Sequence, residues 1–93
     1  MTWEVKLSSK AEKQAKKLPN DDLKILLTTL IADIELNGPV RKNWGNYSKL
    51  SKYSHHCHIK SGKPTYVVCW LVEDKKIKLA EVYYVGTHEK APY

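Results

Sequence analysis

The strongest constraint on the fold lies in the C-terminal half of the chain, where three strand-like segments follow one another. These segments span 54–60, 65–73 and 77–86 and are rich in Val, Ile, Tyr and Trp. The turns between them hold only four and three residues, which is too short for a crossover helix, so neighbouring segments must run antiparallel. The sequence therefore predicts an antiparallel meander over residues 54–86.

The N-terminal half predicts one strand and a pair of helices. Residues 3–7 alternate apolar and polar side chains, as a half-buried strand does. Ser9 then precedes a glutamate by three residues, the spacing of a capping box, which predicts that Ser9 caps a first helix and that Pro19 ends it. Asn20 is expected to cap a second helix, whose wide apolar stripe runs to the Asn-Gly-Pro sequence at 37–39.

The order of these elements predicts an α+β fold in a single domain, residues 1–93. The N-terminal strand leads into a helix hairpin, and the meander packs on the apolar side of that hairpin, giving the order β-α-α-β-β-β. Residues 39–53 show no regular period and are expected to form a connection, while residues 87–93 form a tail beyond the last strand.

The charge balance favours negatively charged partners. Sixteen Lys and Arg residues against ten Asp and Glu residues give a formal net charge of +6 and a pI of about 9.3. A field of this sign attracts polyanions such as nucleic acid or an acidic protein. A plain soluble surface with a lysine surplus has the same balance, so charge alone does not decide the function.

Two further features bear on location and redox state. The sequence has no apolar run near the roughly 20 residues that span a bilayer and no signal-peptide pattern at its start, which predicts a cytoplasmic protein without a membrane segment. Cys57 and Cys69 fall in neighbouring predicted strands. Free thiols are expected in that compartment, although the spacing alone leaves a disulfide open.

Three of the four histidines lie within four positions of one predicted strand, in the sequence Ser-His-His-Cys-His-Ile-Lys at 54–60. Side chains alternate between the two faces of a strand. One face carries His56, His58 and Lys60, and the other carries His55, Cys57 and Ile59. The apolar side chains of the second set predict that it packs on the helices, so the first set looks outward. Lys49 and Lys52 are expected on that outward surface, and His88 can join it if the last strand is central.

Three interpretations of this outward face compete. The histidines are either solvated polar residues, or zinc ligands together with His88, or acid–base groups that act on a phosphodiester without a metal. Imidazoles with pKa values near neutrality can deprotonate a 2′-hydroxyl and protonate the leaving 5′-oxygen, and lysines stabilise the charge on the phosphate. The basic surroundings disfavour a cation and favour the third interpretation.

Two short motifs stand at corresponding ends of the meander. Residues 57–59 read Cys-His-Ile, and residues 86–88 read Gly-Thr-His ahead of the terminal Tyr93. Together with the element order and the chain length, these motifs resemble the RelE/ParE superfamily of bacterial type II toxins. The resemblance covers the whole chain and is greatest to the subgroup of mRNA-cleaving toxins.

The resemblance implies an endoribonuclease that cuts mRNA on the translating ribosome, uses no metal or other cofactor, and is silenced by a cognate antitoxin protein. His58 and His88 match the acid–base histidines of that subgroup. Tyr93 stands where an aromatic residue stacks on or orients the substrate base, although it follows His88 by five residues where the subgroup uses four. Base stacking of this kind contributes about 1–3 kcal/mol.

Several basic side chains are candidates for binding RNA phosphates. Relatives place basic residues at positions that match Lys49, Lys52 and Lys60, and Lys90 in the tail is a further candidate. His56 has no counterpart in the subgroup and is either a second base or a phosphate contact. The predicted RNA-binding set is therefore Lys49, Lys52, His56, Lys60 and Lys90.

Other functions remain open at this point. ParE-type members of the superfamily poison DNA gyrase without catalytic residues, but their tails typically lack the Thr-His pair followed by an aromatic residue. A non-enzymatic module that binds RNA or protein on the same scaffold would make the histidines incidental. A zinc hydrolase is the third alternative.

Overall fold

The computed structural model describes residues 2–93, which form a five-stranded sheet with two helices. Strand β1 is followed by the helices α1 and α2, and the strands β2 to β5 then complete the sheet. The bounds in chain order are β1 Glu4–Leu7, α1 Ser9–Lys16, α2 Asp21–Asn37, β2 Gly45–Lys49, β3 Ser54–Lys60, β4 Tyr66–Asp74 and β5 Leu79–Thr87. A single 3₁₀ turn, His88–Lys90, follows β5.

The sheet confirms the predicted α+β fold with its antiparallel meander. The strand order is β1-β5-β4-β3-β2, in which β1 runs parallel to β5 and all other neighbours are antiparallel. The chain between the parallel strands β1 and β5 contains the helix pair and the strands β2 to β4, so it is long enough for the crossover that parallel strands require. Because β5 lies between β1 and β4, the last strand is internal to the sheet, and only β4 separates it from the histidine-bearing strand β3.

The structure adds one strand that the sequence did not predict. Residues 39–53 were expected to form an irregular connection, but Gly45–Lys49 forms the edge strand β2, paired with β3. Its sequence, Gly-Asn-Tyr-Ser-Lys, lacks apolar alternation, and its register with β3 shifts between Gly45 and Ser48. Ser48 stands opposite His56 and Lys49 opposite His55.

The helix ends are mostly as predicted. The cap of α1 is Ser8 rather than Ser9: the Ser8 hydroxyl accepts a hydrogen bond from the Ala11 backbone N–H at 3.0 Å, while Ser9 is already helical. The predicted cap of α2 is confirmed, since the Asn20 side chain accepts from the Leu23 N–H at 3.0 Å. Helix α2 ends at Gly38, whose φ of 93° favours glycine.

The two faces of the sheet carry two apolar clusters of unequal size. The larger one lies between the sheet and the helices and includes the fully buried Leu30, Cys57 and Trp70. The smaller one lies on the other face and consists of Val67, Cys69 and Tyr84, with partly buried neighbours. Cys57 and Cys69 thus point to opposite faces, and each is a buried free thiol, as predicted. Within residues 2–93, no helix is long and apolar enough to cross a membrane.

The connection from α2 to β2 is held by one carboxylate. Asp33 accepts hydrogen bonds from the side chains of Asn37, Arg41, Asn43 and Trp44 at 2.7–3.0 Å. These hydrogen bonds hold the pKa of Asp33 well below its usual range, and the one from Asn43 has the largest effect. This network fixes the start of β2 and therefore its register against the histidine-bearing strand.

Candidate active site

Four aromatic rings meet at the C-terminal end of β5, on the face of the sheet away from the helices. The His58 ring lies 5.5 Å from the His88 ring and 5.9 Å from the His56 ring, centroid to centroid. The Tyr93 ring lies 4.6 Å from that of His56 and 5.8 Å from that of His88. The three predicted catalytic side chains and His56 are therefore together; we call these four residues the histidine cluster.

The sheet register explains why two motifs 30 residues apart meet. Val67 of β4 pairs with His58 on one side and with Gly86 on the other, so both motifs lie in one row across the sheet. The His88 backbone N–H then donates to the Thr65 carbonyl at 2.9 Å, which turns the tail back toward β3.

Tyr84 and Gly86 hold the backbone that carries His88. The Tyr84 hydroxyl donates to the Thr87 carbonyl at 2.7 Å. A Cβ at Gly86 would lie only 2.8 Å from that hydroxyl, so the hydrogen bond requires glycine at this position. The glycine of the Gly-Thr-His motif is thus explained by the close approach of Tyr84.

The tail accommodates the extra residue between His88 and Tyr93. The 3₁₀ turn closes with a hydrogen bond from the Ala91 N–H to the His88 carbonyl at 3.2 Å, and it shortens the path to the C-terminus. The Tyr93 ring contacts both His56 and His88 despite the spacing of five.

His56 is more enclosed than an outward-facing residue was expected to be. It is 8% exposed because the Tyr93 ring packs against it. Its Nδ1 lies 3.1 Å from the Ser48 hydroxyl and 3.3 Å from the Ser48 carbonyl. A carbonyl only accepts, so Nδ1 carries the proton and Nε2 carries the lone pair in the neutral ring. Burial lowers the pKa of His56, and the nearby charge of His88 lowers it further.

His58 has the same tendency toward the neutral form. Burial has the largest effect and lowers the pKa of His58. The neighbouring His56 and His88 rings lower it further, because like charges repel. A neutral imidazole beside a second histidine can accept a proton while its neighbour donates one, which is the requirement for general acid–base chemistry.

Lys49 and Lys52 do not lie on the face where they were predicted. Lys49 is opposite His55 across the β2–β3 pair, and both lysines line a cleft with His55 on the helix side of the sheet. The predicted face was wrong because no pattern in residues 45–49 indicates β2, whose register decides which face Lys49 occupies.

Lys60 and Lys90 also lie apart from the four rings. A bulge between His58 and Lys60 breaks the strand alternation, and Lys60 pairs with Tyr66, which packs against the helix-side core. Lys90 lines a cleft of about 480 Å³ together with Lys10 and Lys17 of the first helix segment.

A second cleft, of about 510 Å³, adjoins the histidine cluster directly. It is lined by His88 and Glu89 of the tail and by Lys63 in the β3–β4 turn, with Thr65 and Thr87 between them. Lys63 is a basic residue near the site and was not among the predicted RNA-binding residues. Its only sequence signal is its place in the turn that follows the histidine-bearing strand.

The arrangement bears on the zinc interpretation. Across the part of the chain that the structure describes, no group of three or more His, Cys, Asp or Glu side chains is placed to hold a metal ion. The three histidine rings are neighbours, but they do not form a ready set of ligands.

Comparison with known proteins relates the fold to an archaeal RelE–RelB complex and to two bacterial toxins. No family model matches the sequence, and no curated protein matches it. Among solved structures, the archaeal RelE–RelB complex from Pyrococcus horikoshii OT3 matches with a TM-score of 0.69 and 16% identity, covering 98% of this chain and 100% of that chain.

Two further structures agree. A double mutant of the E. coli toxin RelE in the free state has a TM-score of 0.73 and 16% identity over 96% of this chain and 86% of that chain. A metal-bound toxin from Helicobacter pylori has a TM-score of 0.68 and 20% identity over 96% of this chain and 97% of that chain. The chain therefore has the RelE toxin fold along nearly its whole length.

Proposed function

We propose that this protein is the toxin of a type II toxin–antitoxin pair and an endoribonuclease that cuts mRNA without a metal ion. The observation that carries the proposal is the histidine cluster, which stands on a RelE-like fold beside a cleft that Lys63 lines. The mRNA is expected to be bound to the ribosome when it is cut, and the reaction takes place in the cytoplasm.

The proposed reaction is an internal transfer at phosphorus. His58, with a pKa lowered by burial, accepts the proton of a 2′-hydroxyl. The 2′-oxygen attacks the adjacent phosphorus, the P–O5′ bond breaks, and the imidazolium form of His88 gives its proton to the leaving 5′-oxygen. The products are a 2′,3′-cyclic phosphate and a free 5′-hydroxyl, and both histidines return to their starting forms after exchange with water.

The neighbouring residues are proposed to hold the substrate. Tyr93, about half exposed beside His88, offers a ring on which a base stacks. Lys63 lines the same cleft as His88 and is proposed to bind a phosphate next to the cut, while Lys90 in the other cleft is proposed to bind a phosphate farther along the strand. His56 lies behind Tyr93 and serves as a second base or a phosphate contact.

The proposed partners follow from the fold and the charge. The P. horikoshii structure contains RelE with RelB, and by analogy we expect a cognate antitoxin protein for this chain. With a net charge of +6, the protein favours an acidic antitoxin as well as RNA.

The proposal is tested by induced expression with growth curves and primer extension on cellular mRNA. Wild type is compared with His58→Ala, His88→Ala and Tyr93→Ala, and Lys24→Ala on α2 serves as the matched surface control; circular dichroism checks each fold. We expect growth arrest with discrete mRNA cuts for wild type and control, and loss of the cuts in both histidine variants.

Other outcomes identify the alternatives. Arrest without cuts, together with inhibited DNA supercoiling by purified gyrase, would establish a gyrase poison. Arrest or binding that both histidine variants retain in full would indicate a non-enzymatic module. Cleavage by purified protein that stops with EDTA and returns with zinc would establish the zinc hydrolase.

A further inference from the structure

A third cleft lies on the helix side of the sheet, away from the histidine cluster. Its volume is about 390 Å³, and its lining includes the three lysines Lys49, Lys52 and Lys75 and the three rings of Trp3, Tyr53 and His55. We call this group of six residues the lysine cleft. His55 and His56 are adjacent in sequence, but strand alternation places them on opposite faces, so the lysine cleft and the histidine cluster are separated by the sheet.

The lysines of this cleft are not neutralised by the protein. From Thr2 to Tyr93, no carboxylate lies within 4.0 Å of the ammonium groups of Lys49, Lys52 or Lys75. The carboxylates nearest in sequence are engaged elsewhere: Glu73 pairs with Lys6 at 2.9 Å, and Asp74 accepts from the backbone N–H groups that follow it. Three ammonium groups at one cleft are therefore available to bind an anion.

The rings of the cleft add an apolar and aromatic surface. Tyr53 is 51% exposed, and the Lys52 ammonium stands 5.4 Å from its ring centroid. His55 adds no positive charge at neutral pH, because burial and then the charge of Lys49 lower its pKa to about 4. Its Nδ1 is hydrogen-bonded to the Tyr47 hydroxyl at 2.7 Å, which fixes the ring.

A ligand that satisfies this surface must carry negative charge and a flat apolar group together. A nucleotide of a single RNA strand does both, because its phosphates suit the lysines and its base suits an exposed ring. An acidic peptide would satisfy the lysines, but most of its residues would leave the aromatic surface uncovered.

We propose that the lysine cleft is a second RNA-binding site, which holds an RNA segment on the face opposite the histidine cluster. The choice of RNA over other polyanions rests on the proposed function. The site itself does no chemistry; it contributes affinity and fixes how the protein sits between two stretches of RNA.

The test is RNA binding by variants that differ only in where charge is removed. The cleft variant is Lys49→Gln/Lys52→Gln/Lys75→Gln, and the matched control is Lys13→Gln/Lys24→Gln/Lys42→Gln, whose lysines line neither this cleft nor the histidine cluster. Both carry His88→Ala to prevent cleavage. Binding of a fluorescein-labelled single-stranded RNA of about 12 nucleotides is measured by anisotropy over a salt series.

We expect the cleft variant to bind about tenfold more weakly at roughly 0.15 M salt, with a slope of log K against log salt that is reduced by about 2. The control should change by less than about threefold. In amide NMR spectra of the parent protein, RNA should shift the signals of residues 49–55 as well as those of the tail.

Equal losses in the two variants, or RNA-induced shifts confined to the tail, would overturn the proposal. It would also fail if a glutamate decapeptide bound the cleft in a lysine-dependent way while RNA did not, since the site would then serve an acidic protein. Cleavage by the wild-type protein is assayed separately. RNA binding at the cleft without any cleavage would therefore refute the nuclease and leave the second site standing.

Discussion

His55 shows how one buried ring makes the stability of the protein depend on pH. The imidazole is 3% exposed and forms a triangle with the Tyr47 and Trp70 rings on the helix side of the sheet; it lies 5.9 Å from each, and those two rings are 6.2 Å apart. The pKa of His55 in the folded protein is about 4, below the value of 6.5 for a free histidine. Between these two pH values the unfolded chain binds a proton at His55 and the folded chain does not. The stabilisation is present above pH 6.5 and is lost as the pH falls toward 4.

We predict that His55→Phe removes most of this dependence. The phenyl ring keeps the stacking and cannot be protonated, so the loss of unfolding free energy between pH 6.5 and 4.5 should shrink, by at most about 3 kcal/mol. The free energy of unfolding is measured by urea titration at a series of pH values, with tryptophan fluorescence as the signal. His88→Phe is the control, since it replaces an exposed histidine and keeps His55 with its hydrogen bond to Tyr47; if His55→Phe retained the wild-type slope, His55 would not be the responsible group.

His58 leads to a prediction about the pH dependence of cleavage. As the proposed base, it acts in the neutral form, so the rate should rise with pH through its lowered pKa, which places the acid limb of the profile below pH 6.5. His56 contributes to that lowering. We expect His56→Gln to move the acid limb to higher pH.

The measurement is kcat/KM for a labelled oligonucleotide at fixed ionic strength from pH 5 to 9. Ser48→Ala is informative beside it, because it removes one contact of the His56 Nδ1 and leaves the ring in place. An acid limb that is identical in wild type and His56→Gln would exclude coupling between the two rings.

At this scale the sequence predicted which histidines belong together and missed how they are enclosed. Strand alternation separates His55 from His56 and His58, and that pattern is visible in seven residues. The burial of His56 depends on Tyr93, which is 37 positions away, and on Ser48 of an unpredicted strand. Neither contact has a local sequence signal.

At the scale of elements, the end of β5 determines where His88 stands. The Tyr84 hydroxyl donates a hydrogen bond to the carbonyl of Thr87, the residue before His88. Gly86 has no Cβ and so leaves room for that hydroxyl. Tyr84 is therefore a positioning residue for the proposed acid. Tyr84→Phe should lower kcat about tenfold through lost alignment while KM changes little.

Gly86→Ala should act in the same direction through a different cause. Its Cβ displaces the Tyr84 hydroxyl, so kcat falls at least as far, and combining the two substitutions should cost little more than either alone. Steady-state kinetics of the wild type, the two single variants and the double variant gives a double-mutant cycle. Losses that multiply fully would show that Gly86 and Tyr84 act independently.

The connection between α2 and β2 offers a test of stability at the same scale. Asp33→Ala removes the acceptor of four side-chain hydrogen bonds, one of them from Arg41, and should cost about 2 kcal/mol at pH 7. Since the folded pKa of Asp33 is lowered, its contribution is full above the unfolded value of 3.8 and fades as the pH falls below it.

Asp21→Ala is the matched control for that prediction, because it removes an exposed carboxylate from the first turn of α2 and should cost less than about 1 kcal/mol. Both are compared by urea unfolding at pH 7 and pH 3. If the two variants were equally stable at pH 7, the Asp33 network would not hold the connection.

The elements differ in how far the sequence predicts them, for physical reasons. Strands β3 to β5 have buried apolar faces, and α2 has a cap at Asn20. The predicted type and place of these elements therefore agree with the structure. Strand β2 is an edge strand with one partner and mostly exposed side chains, so nothing in its composition requires a strand. The cap of α1 was displaced by one residue because two serines stand side by side.

At the scale of the whole molecule, the sheet divides the basic surface into two parts. The net charge of +6 is visible in the sequence, but the side on which each lysine lies is not. The register of β2 places Lys49 with His55, and the tail places Lys90 beside α1. The basic side chains that the sequence predicted on one surface thus lie on two faces of the sheet, and Lys49 and Lys52 are on the face opposite the histidine cluster.

This separation predicts that the two faces act independently. The positioning residue Tyr84 and the three lysines of the lysine cleft lie on opposite faces of the sheet, and changes at distant sites without shared partners add in free energy. Tyr84→Phe should lower kcat, removal of the lysines should raise KM, and the combined variant should show both effects multiplied. Steady-state cleavage of one oligonucleotide by the four proteins measures this at constant salt. If the lysine substitutions had no effect in the Tyr84→Phe background, both would act on one step, and the lysines would work through the histidine cluster rather than through RNA bound on their own face.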